Sequence, residues 1–303
     1  MAERRIYYGG QAVIEGVMIR GPHSMAVACR APDGDIVVRA QPLRGLYAGP
    51  VRRIPLIRGV IVMWETLALG LQALVFSSSV AMEEKDHDAS SRPIWGMAII
   101  SLTLVAVIFF AGPLLLADWL ERVLDDHLLV ILVEGLIRLG VVVGYVGLIG
   151  LMPDVRRVYA YHGAEHKSIH AFENGDPLEP LFVQRHPTAH VRCGTSFLLT
   201  VVVVSILVFA AVGDPDLWLR VVSRIVLIPV IAAIAYEVIR LGGAFESSPI
   251  TRALMWPNLA LQTLTTRQPD DAQVEVALRA LKEVLAAEGA LPETPAKSSL
   301  SAK

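Results

Sequence analysis

Four stretches of this chain stay apolar for long enough to cross a lipid bilayer as helices, which takes roughly 20 mainly apolar residues. Ile94 to Ala117 and Phe197 to Gly213 contain no ionisable residue; Leu128 to Met152 carries Glu134 and Arg138; Leu217 to Gly243 carries Arg220, Arg224, Glu237 and Arg240. A fifth run, Gly59 to Ser79, is interrupted by Trp64, Glu65 and Gln72, and it reads as a helix that is interfacial or re-entrant. Near the N-terminus Met25 to Ala31 and Ile36 to Ala40 are strand-like, joined by the turn signal Pro32-Asp33-Gly34-Asp35. Beyond the last apolar run, Pro269-Asp270-Asp271 opens a helix with Val274, Ala277, Leu278, Leu281 and Leu285 on one face. No internal repeat is visible.

The expected fold is therefore mainly α: a polytopic helical membrane protein of about four spans with a small N-terminal β-containing unit. Its expected segments are that unit (1–58), the interfacial or re-entrant helix and a linker (59–93), a first membrane helix pair (94–152) and a connection (153–196). A second membrane pair (197–243), a C-terminal helical segment (244–288) and a disordered Pro/Ser/Ala/Lys tail (289–303) follow.

Composition agrees. Apolar residues make up 54% of the chain and charged residues 18%, against about 45–50% and about 25% in soluble proteins. A net charge of −2 gives no reason to expect nucleic acid as a partner. The two cysteines, Cys29 and Cys193, lie in different contexts and form no disulfide framework, which suits a reducing compartment. The N-terminus lacks the continuous apolar core of a cleaved signal peptide, so the mature chain is expected to start there.

Basic residues mark the cytoplasmic side. They crowd the segment before the first clear span (Arg4 to Arg58), the connection between the second and third (Arg156, Arg157, Lys167, Arg185, Arg192) and the C-terminal segment, whereas the opposite connections are acidic. Arg220 and Arg224 run against this pattern but are outnumbered. A multi-pass protein of the cell membrane with both termini and the middle connection in the cytoplasm is the consistent expectation.

That connection carries the chemistry. Asp154 is a suitable N-cap and Asn174-Gly175 a suitable stop, which predicts one helix of about five turns between them. At about 100° per residue, His162, Glu165, His166, His170 and Glu173 fall within an arc of roughly 140°. His162, Glu165 and His166 also satisfy H-x-x-E-H, the inverted zinc-hydrolase pattern. Imidazoles four residues apart can hold one divalent metal, zinc above all, and a carboxylate on the same face can take a proton from activated water. Further ligands could come from His170, Glu173 or the pair His190 and Cys193. A five-residue pattern also arises by chance in a chain with 8 histidines, and a helix at a membrane surface carries polar residues wherever it is wet. Glu134 has Arg138 four residues on and reads as a helix-face ion pair. Glu237 has Arg240 nearby, but lies towards the cytoplasmic end of its span and is a further site candidate.

The stretch GGQAVIEGVMIRGP (Gly9 to Pro22) closely resembles the N-terminal signature of the bacterial YqhQ family, a membrane family of unknown function. Tyr161 to His170 with Phe172-Glu173, Arg192 to Phe197, and Leu261 to Asp270 are similar to its other signatures. Family members are described as predicted metal-dependent enzymes, a description that rests largely on these histidines. The resemblance picks out Gln11, Glu15, Arg20, His162, Glu165, His166, His170, Glu173, Arg192 and Cys193. This chain has His190-Val191-Arg192 where members commonly have His-Pro-Arg. Glu15 and Arg20 read either as a structural ion pair at a tight turn or as groups carried over the histidine helix.

These readings converge on a zinc-dependent membrane hydrolase with a site at the cytoplasmic surface. His162 and His166 would be ligands and Glu165 the base, and the substrate would be membrane-linked. A non-enzymatic metal-binding scaffold, or an assembly factor with a membrane protein partner, is the alternative. A transporter is a weaker third.

Overall fold

The computed structural model describes residues 8–43, 54–82, 126–213, 217–245 and 248–291, with isolated helical positions between 96 and 120. Most of the apolar run Ile94 to Ala117, most of the acidic connection after it and the tail beyond residue 291 thus lie outside the described residues.

Two antiparallel hairpins make one meander sheet in the order β1-β2-β3-β4, with β1 Gly9–Val13, β2 Gly16–Arg20, β3 Ser24–Arg30 and β4 Ile36–Pro42. The last two are the expected hairpin. β1 and β2 are an addition to it, built from a glycine-rich stretch with little alternation to announce strands. Side chains alternate cleanly between two buried faces. Val17, Ile19, Ala26 and Ala28 point into one core, and Met18, Met25, Val27 and Cys29 into another.

The first core is closed by two helices distant in sequence, α3 (Pro153–Asn174) and α9 (Asp271–Ala287). α9 starts in a capping box formed by Asp270 and Gln273, which satisfies otherwise orphaned N–H groups of its first turn. It buries the five apolar residues expected of it, Val274, Ala277, Leu278, Leu281 and Leu285. The second core is closed by α1 (Ile57–Ala81) through Leu69, Ala73, Phe76 and Val80.

α2 (His127–Ile149), α5 (Thr195–Val212), α6 (Leu217–Val226), α7 (Ile228–Ala244) and α8 (Pro249–Thr265) form the apolar part. Among the described residues three helices are long and apolar enough, by length and composition, to cross a membrane: α1, Leu129–Ile149 and α5. Four such spans were expected. The run Leu217 to Gly243 is not one helix, because the chain breaks at Leu227 ahead of Pro229, whose ring leaves no N–H for an unbroken ladder. The run Gly59 to Ser79, expected to lie in the interface or re-enter, is part of an unbroken 25-residue helix. Glu65 does not interrupt it: the carboxylate, 1% exposed, meets Arg20 of β2 at 2.5 Å. Gly59 lets α1 approach the backbone of α7, where a Cβ would stand 2.8 Å from the Ala233 Cα. Deeper in the apolar part Glu134 binds Arg138, as expected, and is also gripped by both terminal nitrogens of Arg224 from α6.

The histidine helix α3 begins two residues earlier than its sequence suggests. Met152 is the N-cap and Pro153 takes the first helical position, so Asp154 lies in the first turn, where its charge favours the helix dipole. The stop is as expected, with Gly175 left-handed at φ 74°. Beyond α8 the chain crosses α3 at Gly163: a Cβ there would meet the Arg267 carbonyl oxygen at 2.1 Å. That carbonyl cannot retreat freely, because the Arg267 N–H is bonded to the Tyr159 oxygen at 2.9 Å. Gly163→Ala is therefore expected to destabilise the protein by about 1–3 kcal/mol, the usual cost of overpacking, read as a lowered thermal midpoint in detergent. An unchanged midpoint would contradict this crossing.

Candidate metal centre

The middle of α3, from Ala160 to Ala171, is enclosed, so most of the cluster that its spacing predicts is buried rather than displayed, with Glu173 at the exposed end. His166 is 1% exposed, Glu165 4% and Cys193 6%. The walls are β1, the connection from Gly175 to Gly194 with its short helix α4 (Pro180–Val183), the start of α5 and the end of α8.

Two backbone carbonyls decide how the first two imidazoles point. His162 Nδ1 lies 2.9 Å from the Thr265 oxygen, and His166 Nδ1 lies 2.5 Å from the Thr188 oxygen. A carbonyl only accepts, so each Nδ1 carries the proton and each Nε2 keeps a bare lone pair. The His162 Nε2 is 3.1 Å from the Cys193 sulfur, and His166 also bonds that thiol. One ligand atom from each of His162, His166 and Cys193 lies within 4.8 Å of the other two. Burial lowers the pKa of His166, keeping it neutral. The Thr195 N–H donates to the Cys193 sulfur at 3.4 Å, and the Thr195 hydroxyl lies 3.1 Å from it.

The other candidates occupy distinct places. His170 donates its Nε2 proton to the Ala189 carbonyl at 2.9 Å, and burial moves its pKa down to about 4. Glu173 binds the Arg192 guanidinium and lies 3.4 Å from His190 Nε2. His170, Glu173 and His190 form a second ligand group of the same compactness. Glu165, expected to be the base, belongs to neither group. It turns towards β1, takes the N–H of Gly10 and lies near His162 and His190; burial raises its pKa despite those partners.

Glu15 sits at the β1–β2 turn in the left-handed region, φ 51°, a strained setting for a non-glycine residue. Its carboxylate holds Arg157 through both oxygens and takes the Tyr161 hydroxyl at 3.2 Å, clamping the hairpin onto α3 one turn before His162. Arg20 turns the other way, to Glu65. Gln11 reaches α1, donating to the Thr66 carbonyl at 3.1 Å. Glu237 is bound by Arg58 through both oxygens and accepts the Leu56 N–H at 3.2 Å, so it ties α7 to the start of α1 and is in neither ligand group.

Two residues that the spacing argument passed over organise the site. Gln262 of α8, wholly buried, accepts the His190 N–H and donates to the His190 carbonyl, each at 2.8 Å, and reaches Ser196. Lys167, 2% exposed, donates to the carbonyls of Gln184 and His186 at 2.8 and 2.6 Å. It pins the connection that brings Thr188, His190 and Cys193 to α3. Gln262 lies inside the signature Leu261 to Asp270, its only sequence signal. Lys167 likewise lies inside the signature Tyr161 to His170, its only sequence signal.

The family model described as "Protein of unknown function (DUF1385)" matches residues 54–287. The chain is 35% identical over 306 residues to the "Uncharacterized protein YqhQ" of Bacillus subtilis (strain 168), covering 96% of each chain. No solved structure matches. This chain is a member of the YqhQ family.

Proposed function

We propose that this protein is a multi-pass membrane metalloprotein that holds a zinc-type ion on His162, His166 and Cys193 and hydrolyses a membrane-linked substrate at the cytoplasmic face. The observation that carries the metal reading is the pair of Nδ1–H bonds to carbonyls. They leave two bare Nε2 atoms converging on a thiol, the arrangement that outer-shell bonds impose on metal-ligating histidines. Two neutral imidazoles and a sulfur suit zinc better than magnesium or calcium, which prefer oxygen. A divalent ion there would supply Lewis acidity.

The rest falls to the chain's own residues. Glu165, beside His162 on the same helix, has its pKa raised by burial, which makes it a stronger proton acceptor than an exposed carboxylate and suits it to the role of general base. β1, α8 and the connection exclude bulk water, which strengthens each electrostatic contact. The Arg192 side chain packs against Gly243 at the end of α7, and the ligand Cys193 lies two residues before α5. If α5 crosses the membrane, the site is at the bilayer surface, which suits a lipid-linked substrate or a membrane-embedded peptide.

A second reading is supported by the closure of the trio. With His166 and Cys193 nearly inaccessible, the ion would be structural, since structural zinc sites are closed while catalytic ones keep a position open. The protein would then be a scaffold or assembly factor for a membrane partner.

Detergent-purified wild type is expected to hold zinc in a fixed ratio, and His162→Ala/His166→Ala to lose it; metal in neither protein would end the proposal. Glu165→Gln separates the two readings. A hydrolase keeps its metal and loses turnover of ester and amide probes in mixed micelles by about 10²-fold or more, whereas unchanged turnover removes Glu165 as the base.

A further inference from the structure

The six candidate ligands do not gather round one point. They fall into two trios, His162/His166/Cys193 and His170/Glu173/His190, each with ligand atoms mutually within 4.8 Å. Atoms bound to one ion at about 2.1 Å can be no more than about 4.2 Å apart, so one ion cannot take ligands from the whole array. The trios are neighbours, with the His166 and His190 rings 5.7 Å apart. We infer that the protein carries a second metal site on His170, Glu173 and His190, distinct from the sulfur-containing one and open where that one is closed.

The geometry of the outer trio fits an ion. His190 Nε2 and the nearer Glu173 oxygen are 3.4 Å apart, longer than a good hydrogen bond at 2.7–3.2 Å. Two ligands about 2.0–2.1 Å from a tetrahedral ion stand about 3.3 Å apart. The other Glu173 oxygen is held by Arg192, which orients the carboxylate as outer-shell partners orient ligating carboxylates. Ala189 takes the His170 Nε2 proton and leaves Nδ1 as its bare nitrogen. Gln262 clamps the His190 backbone from both sides. His190 Nδ1 accepts the Arg192 N–H at 3.2 Å, so ligation through Nε2 moves the ring proton to Nδ1 and gives up both that bond and the Nε2–H contact to Glu173.

Ligand chemistry and exposure set the two sites apart. Two imidazoles and a carboxylate form the donor set of divalent iron, manganese or zinc sites with open positions, whereas the inner trio ends in a thiol. The Glu173 side chain is 28% exposed, which leaves room for water or a substrate oxygen. The inference rests on the metal reading of the histidine helix, not on the inner trio being catalytic.

The test uses the full chain in detergent, stripped of metal and titrated with cobalt(II) or zinc. Wild type is expected to take up two equivalents, and only one should produce the thiolate-to-cobalt charge-transfer band that requires Cys193. His170→Ala/Glu173→Gln should bind one equivalent and keep the band in full; Cys193→Ser should bind one and lose it. A single equivalent in wild type, unaffected by His170→Ala/Glu173→Gln, would overturn the second site while leaving the first intact. Loss of both equivalents in His170→Ala/Glu173→Gln, with the thermal midpoint unchanged, would overturn the independence of the two. Absence of any metal in wild type would remove both proposals together.

Discussion

The Nδ1–H bonds from His162 to the Thr265 carbonyl and from His166 to the Thr188 carbonyl set everything else about the site. A neutral imidazole has one proton and one lone pair, so fixing the proton on Nδ1 fixes the lone pair on Nε2. Without those carbonyls the rings could turn, and the histidines would be two adaptable polar groups on a helix. With them, two lone pairs meet one sulfur in a dry interior. The carbonyls come from parts of the chain that are remote in sequence, one at the end of α8 and one in the connection before α5. The site therefore exists only when those segments are seated on α3.

Each segment has its own anchor. Arg267 closes over Gly163 and bonds Tyr159, which holds the end of α8. Lys167 reaches two carbonyls of the connection, and His186 meets Asp176 at 2.9 Å. Gln262 joins the two segments through His190. The sheet supports the opposite side of α3, with Glu15 clamped to Arg157 and Gly10 against Glu165. Burying a lysine, a glutamate and several imidazoles together costs desolvation energy. For Lys167, Glu165, His162, His166 and His170 the protein offsets that cost with hydrogen bonds to backbone, which gives directional control over the rings.

Much of this was legible in the residues and some could not be. Helical spacing placed the histidines of α3 on one side because 3.6 residues per turn is a property of any helix, and the amphipathic pattern located α9 for the same reason. Spacing could not rank Glu165 against Cys193, since it says nothing of what lies opposite each position: Glu165 faces β1, and the thiol faces the rings. Nor could it find Thr188 and Thr265, which act through carbonyls that every residue possesses. β1 and β2 were hidden by glycines: Gly10 admits the close approach of the Glu165 side chain of α3, and Gly16 that of the neighbouring strand at Ala28 and Cys29. The helical continuity of α1 was hidden by Glu65, whose partner Arg20 is 45 positions away by residue number.

The central claim is that two imidazoles and one thiol form a metal centre. X-ray absorption at the zinc edge, on protein carrying a single equivalent, tests it most directly. The account predicts one sulfur scatterer at about 2.3 Å together with nitrogen neighbours at about 2.0–2.1 Å, and loss of the sulfur shell in Cys193→Ser. A spectrum fitted by nitrogen and oxygen alone, or unchanged by Cys193→Ser, would contradict it.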